Sequence, residues 1–98
     1  CFNYGGHWEI TDAARKMCEA GETHFTPESF RKYLYHPEVP DCDLIVRTSG
    51  EERISGFQLW RASYSEFLFL DKHFPAIEPA DVQFVLDEYH QRQRRFGK

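Results

Sequence analysis

Ile10, Ala13, Ala14 and Met17 stand at i, i+3, i+4 and i+7, the stripe of an amphipathic helix, and Gly21 follows where a left-handed C-terminal cap belongs. This predicts a helix over about residues 9–20. Thr26-Pro27-Glu28 reads as an N-cap, a first-turn proline and an acid suited to the helix dipole, with Phe30, Tyr33 and Leu34 as the apolar stripe and Pro37 as the stop. A second helix is expected over about residues 26–35. Leu44-Ile45-Val46 is a short continuous apolar run closed by Thr48-Ser49-Gly50, the pattern of a strand buried on both faces of a parallel sheet. Phe57, Trp60 and Tyr64 then suit a helix seeded at Ser55, Phe67 to Leu70 make a second strand, and Val82, Val85, Leu86 and Tyr89 give a last helix starting at Pro79.

Helix, strand and polar loop in that order is α/β grammar, and residues 1–4 are a candidate third strand. Short parallel strands need several neighbours and helices on both faces, so half of a doubly wound sheet is missing from this pattern. A self-contained, mostly helical domain with two buried apolar runs is the alternative.

Composition narrows the picture. Ninety-eight residues, 41% apolar and 29% charged, allow one small globular domain at most. Three cysteines, Cys1, Cys18 and Cys42, are odd in number and far apart, which argues against a disulfide framework and for a reducing, cytoplasmic compartment. His7, His24, His36, His73 and His90 show no zinc-ligand spacing with them. No apolar run approaches the ~18–20 residues that cross a bilayer. The chain opens at Cys1, its single methionine is Met17, and CFNYGG begins as though a strand were already under way, so a piece of a longer protein is expected.

The net charge is −4, yet Arg92, Arg94, Arg95 and Lys98 gather at the C-terminus. The acidic remainder disfavours nucleic acid as a partner but leaves room for a local anion site. Ligands of open α/β sheets bind beyond the carboxyl ends of strands. The residues in that place are Arg47-Thr48-Ser49-Gly50-Glu51-Glu52-Arg53-Ile54-Ser55. Two forked guanidinium groups, two hydroxyls beside a glycine and the N–H groups of a helix start suit a phosphate or diphosphate. The plainer reading of the same residues pairs Arg47 and Arg53 with Glu51, Glu52 or Asp43 on a solvated loop.

Asp43-Leu44-Ile45-Val46-Arg47-Thr48-Ser49-Gly50-Glu51, then Arg53-Ile54-Ser55, Phe57-Gln58-Leu59-Trp60 and Tyr64-Ser65-Glu66, closely resemble the C-terminal signature of the cis-prenyltransferases, the undecaprenyl diphosphate synthase family. Asn3-Tyr4-Gly5-Gly6 and Arg95-Phe96-Gly97 extend the likeness over nearly the whole chain. His7 departs from the family's usual arginine, and is read as a neutral packing residue; Gly56 departs from its frequent asparagine. The resemblance implies the C-terminal portion of a single-domain, mostly parallel sheet flanked by helices. It also implies that an N-terminal part with a D-G-N-G-R-W loop, absent from this sequence, holds the allylic diphosphate and magnesium.

The activity implied is isoprenoid biosynthesis: condensation of isopentenyl diphosphate onto an allylic diphosphate such as farnesyl diphosphate, with Mg2+, forming Z double bonds in a polyprenyl lipid carrier such as the cell wall uses. A cytoplasmic homodimer with peripheral membrane contact through its product follows from the same likeness. Residue by residue, it assigns Arg47, Arg53, Ser55 and the backbone N–H of Ile54 to the diphosphate of isopentenyl diphosphate. Glu66 falls on the metal position, and Arg95 with Gly97 form an R-x-G element reaching across a homodimer. The 98 residues alone are expected to be inactive. A noncatalytic partner subunit of the same fold is the rival reading, although such partners tend to lose the arginine loop. Trp8, Trp60 and the Phe67–Phe69 run are either core or the lining of a prenyl tunnel, with core favoured by their spacing.

Overall fold

Helix α1 spans Gly6–Glu19 in the computed structural model, which describes residues 4–92. It begins earlier than the apolar stripe because Gly5 in extended conformation serves as N-cap and its carbonyl accepts the Glu9 N–H at 2.9 Å. Gly6 has to be glycine: a Cβ there would lie 2.0 Å from the Gly56 carbonyl oxygen. At the other end Gly21 takes φ +68, its N–H bonds to Cys18 O at 3.1 Å and the Glu22 N–H reaches Met17 O at 3.1 Å. That is a Schellman cap, in the place the sequence predicted.

Helix α2 is shorter than expected, Pro27–Arg31. Its start is as predicted, with Thr26 Oγ1 accepting the Ser29 N–H at 3.1 Å and Ser29 Oγ accepting the Thr26 N–H at 3.0 Å. Tyr33 and Leu34 then bond back only three residues, to Phe30 O and Arg31 O, so the chain tightens into turns before His36 at φ +47.

The described residues divide into two units. The first runs through Asp41 and includes Gly56–Trp60. Its core holds Ala13, Met17 and Leu34, together with a buried carboxylate, Glu9, 1% exposed. Glu9 accepts the Tyr4 hydroxyl and the Tyr35 N–H, the latter at 3.0 Å, which satisfies a polar group that would be costly to bury alone. Trp60 packs against Phe30 with centroids 4.7 Å apart and lines a small apolar cleft with Met17, Phe25 and Pro27. Trp8 is 70% exposed and so belongs neither to a core nor to an enclosed tunnel in this unit. His7 is also exposed, which corrects its reading as a packing residue.

The second unit comprises Cys42–Ser55 and the residues from Arg61 onward. Strands β1 (Leu44–Arg47) and β2 (Glu66–Phe69) form a parallel pair in which Leu44 lies opposite Glu66 and Arg47 opposite Phe69. Phe67 and Phe69 stack along one face of β2, centroids 6.2 Å apart. A 3-10 turn, Phe74–Ala76, leads into helix α3, Pro79–Gln91. Ile45, Ala62 and Leu68 are the buried apolar residues, while Val46 and Phe69 are 40% and 41% exposed. The strands were expected to be buried on both faces. Among the described residues they pair only with each other, and two short strands leave their outer surfaces to water. The candidate strand at residues 1–4 falls largely outside the described residues.

The helix expected from Ser55 does not form. Residues 55–64 are successive turns, because Ser55, Gly56 and Gln58 have φ of +51, +81 and +51. Left-handed residues so closely spaced break any run of i to i−4 hydrogen bonds.

Candidate functional site

Arg47 closes β1 and is half-buried, and the next residues turn sharply: Ser49 and Gly50 take φ +65 and +66. Their amides are used within the fold. Ser49 N–H donates to Lys72 O at 2.7 Å and Gly50 N–H to Leu70 O at 3.0 Å, while Leu70 N–H donates to Arg47 O at 2.8 Å. The Ser49 hydroxyl lies 3.1 Å from Nδ1 of His73. The loop after β1 is thus hooked to the loop after β2. That second loop is tied to α3 in turn, because Lys72 Nζ meets Asp81 Oδ2 at 2.9 Å and the same oxygen accepts the Glu78 N–H at 2.9 Å. The Glu78 amide and then Lys72 hold the Asp81 carboxyl below the ordinary carboxylate range, and Asp81 pushes the Lys72 ammonium up.

Arg53 extends into solvent and pairs with Glu51 on the same loop, which is the plainer reading of its charge realised. Among the described residues no carboxylate pairs with Arg47. Ile54 is half-buried and Ser55 exposed, but the positive φ at Ser55 means that no helix begins there. The oriented potential of a helix N-terminus, one of the parts expected of this anion site, is therefore missing. The two guanidinium groups, the hydroxyls and the Ile54 amide remain as the candidate donors.

Glu66 is placed elsewhere on the sheet. It lies opposite Leu44, three positions along the ladder from the Arg47–Phe69 pair, which is about 10 Å at ~3.3 Å per residue. Alternation also puts its side chain on the face of Leu44 and Leu68, and that of Arg47 on the face of Ile45 and Phe67. The strands themselves do not bring the two together. Glu66 Oε2 instead sits 3.7 Å from Arg92 Nη1, and Arg92 also donates to the Phe67 carbonyl. The sequence pattern marked Arg92 only as a basic residue at a helix end and gave no sign of this clamp. It likewise pointed to the Ser49 hydroxyl but not to His73 as its partner.

Among the described residues no three His, Cys, Asp or Glu side chains gather as a metal site. Glu66 offers one carboxylate, a quarter exposed. Mg2+ is commonly held by one or two carboxylates with phosphate oxygens and water, so Glu66 fits as a single ligand and not as a site. Arg95 and Gly97 lie outside the described residues. Among the described residues no helix is long and apolar enough to cross a membrane.

Comparison with known proteins gives a concordant set of likenesses. The family model described as "Putative undecaprenyl diphosphate synthase" matches residues 1–97. An isoprenyl transferase of Thermotoga maritima is 46% identical over 100 residues, 98% of this chain and 43% of the relative. The crystal structure of a probable undecaprenyl diphosphate synthase from Campylobacter jejuni superposes with a TM-score of 0.86 at 33% identity, over 97% of this chain and 44% of that one. Lavandulyl diphosphate synthase from Lavandula x intermedia, solved in complex with dimethylallyl diphosphate, gives a TM-score of 0.83 at 35% identity over the same shares. The chain spans less than half the length of each of these relatives.

Proposed function

The chain belongs to the undecaprenyl diphosphate synthase family of prenyltransferases, with its α/β fold, and on that premise we propose that it is the C-terminal part of an enzyme that elongates isoprenyl chains. The complete protein condenses isopentenyl diphosphate onto an allylic diphosphate such as farnesyl diphosphate, with Z double bonds, to give a polyprenyl diphosphate. The observation that carries this reading is the arginine loop. It matches the family's signature in sequence and stands at the carboxyl end of a parallel strand, where α/β sheets bind ligands. The noncatalytic partner reading is disfavoured because Arg47 and Arg53 are both present.

In this role Arg47, Arg53 and Ser55, with the Ile54 amide, hold the diphosphate of isopentenyl diphosphate. Arg53 exchanges a solvent-exposed pairing with Glu51 for a multiply charged diphosphate, and exposed pairs of that kind contribute little to stability. Glu66 supplies one carboxylate to Mg2+, exchanging its 3.7 Å contact with Arg92. Glu66 would hold the ion there, and the chemistry Mg2+ would supply is neutralisation of diphosphate charge. The enzyme works in the cytoplasm and touches the membrane through its product.

The test is an assay of the complete protein with labelled isopentenyl diphosphate, farnesyl diphosphate and graded Mg2+, run beside Glu66→Gln. A Z-polyprenyl product is expected, with half-maximal activity of the variant moved to higher Mg2+. Absence of product rejects the enzyme reading, and an unshifted Mg2+ dependence rejects the ligand role alone.

We also assign Arg95 and Gly97 to the diphosphate site of a partner copy in a homodimer. Gly97 lets the backbone approach a ligand closely and Arg95 adds a permanent positive charge. Deleting residues 95–98 from the complete protein is expected to leave the dimer and its Tm nearly unchanged while activity falls about tenfold or more, ~1.4 kcal/mol of transition-state stabilisation. Full activity after the deletion would leave the tail as a solvated basic helix end, whereas loss of the dimer would show a structural role instead.

A further inference from the structure

Ser49 occupies a backbone region, φ +65, that glycine enters without penalty and a residue with a Cβ does not. A side chain persists there when its surroundings over-determine it, and such residues concentrate at functional sites. Three contacts fix this turn: the Ser49 and Gly50 amides bonded to Lys72 O and Leu70 O, and the Ser49 hydroxyl 3.1 Å from His73 Nδ1. Glycine in place of serine would keep both amide bonds. Only the contact with His73 requires the hydroxyl, so that contact is what a serine adds at a position otherwise suited to glycine.

His73 is itself held in place. It precedes the Phe74–Ala76 turn, which contains Pro75, and its carbonyl accepts the Ala76 N–H at 2.9 Å. Its neighbour Lys72 is anchored to Asp81 in the first turn of α3. A chain of contacts therefore runs from α3 through residues 72 and 73 into Ser49, which lies between Arg47 and Arg53 in sequence. The geometry points to His73 as a positioning residue for diphosphate binding: through Nδ1 it pins the Ser49 hydroxyl, and with it the turn that carries Arg47 and Arg53. This rests on the proposed diphosphate-binding role of the loop. Two guanidinium groups on one loop bind an anion more tightly when the loop is ordered beforehand, because less conformational freedom is lost on binding. Ser49 and His73 are both exposed, so water competes for their contact and the effect is modest.

KM for isopentenyl diphosphate, kcat and Tm are measured on the complete protein for His73→Ala, His73→Asn, Ser49→Ala and the His73→Ala/Ser49→Ala pair, with Arg53→Ala as reference. His73→Ala and Ser49→Ala are expected to raise KM about three- to tenfold with kcat within about twofold, and the double variant to be no worse than the poorer single one. His73→Asn, which can place a hydrogen-bonding atom near the position of Nδ1, restores most of the loss. An unchanged KM in His73→Ala, losses that add in the double variant, no rescue by asparagine, or a fall in Tm without a KM effect each overturn the positioning role. If Arg53→Ala also leaves KM unchanged, the diphosphate reading of the loop fails with it; if Arg53→Ala alone is impaired, only the role of His73 fails.

Discussion

Arg53→Ala in the complete protein is expected to raise KM for isopentenyl diphosphate, or lower kcat/KM, by about 10- to 100-fold, since a charged hydrogen bond to a desolvated phosphate contributes ~1.5–3 kcal/mol. The structure makes this a clean substitution. The Arg53 side chain is 69% exposed and its one described ion pair is with Glu51 on the same loop, so removing it leaves no buried charge unpaired and Tm should hardly move. Arg53→Lys keeps the charge but loses the fork that grips two phosphate oxygens, and its loss should fall between those of wild type and alanine. Steady-state kinetics with isopentenyl diphosphate varied at saturating farnesyl diphosphate gives the answer. Unchanged KM and kcat in Arg53→Ala would leave the arginine as half of a surface ion pair.

What the sequence made legible were the features set by neighbours along the chain. Gly21 as a left-handed cap, Thr26 before Pro27, and the start of α3 at Pro79 all depend on interactions within a few residues, and each is found where the pattern put it. Strands β1 and β2 follow from apolar runs bounded by polar residues and lie within one residue of expectation. The helix at 55–64 was misread because Phe57, Trp60 and Tyr64 keep helical spacing although the backbone does not. Gly56–Trp60 packs with the first unit, Phe57 against Tyr4 and Trp60 against Phe30, whereas Arg61 and Ala62 are buried with the second. A segment that divides its side chains between two packing environments gives an apolar pattern with no single helical face behind it. Periodicity reports burial, not the backbone that delivers it. The site was legible as a loop of donors at a strand end but not as a geometry. Nothing local indicates that Ser49 meets His73 across the ends of two strands, or that Glu66 and Arg47 stand on opposite faces of the ladder.

The isolated 98-residue chain is expected to show no prenyl transfer when supplied with isopentenyl and farnesyl diphosphates and Mg2+. Two arguments lead there. The first is chemical: among the described residues no three His, Cys, Asp or Glu side chains gather as a metal site, and the D-G-N-G-R-W loop that the family resemblance assigns to the allylic diphosphate is absent from the sequence. The second is energetic. The parallel sheet has two strands among the described residues and is a weak unit, because parallel strands ordinarily gain stability from neighbours on both edges and helices on both faces. Val46 and Phe69 on the strands and Val82, Phe84 and Leu86 on α3 are 40% exposed or more, and no residue of α3 is buried. At about 25 cal/mol per Å2, apolar surface of this kind favours association or loosening of the chain in water. Light scattering or sedimentation of the purified chain should accordingly show oligomers, or hydrogen exchange should show weak protection of β1 and β2, in either case with no labelled product. A monomer with well-protected strands would remove the energetic argument, and measurable turnover would refute the chemical one.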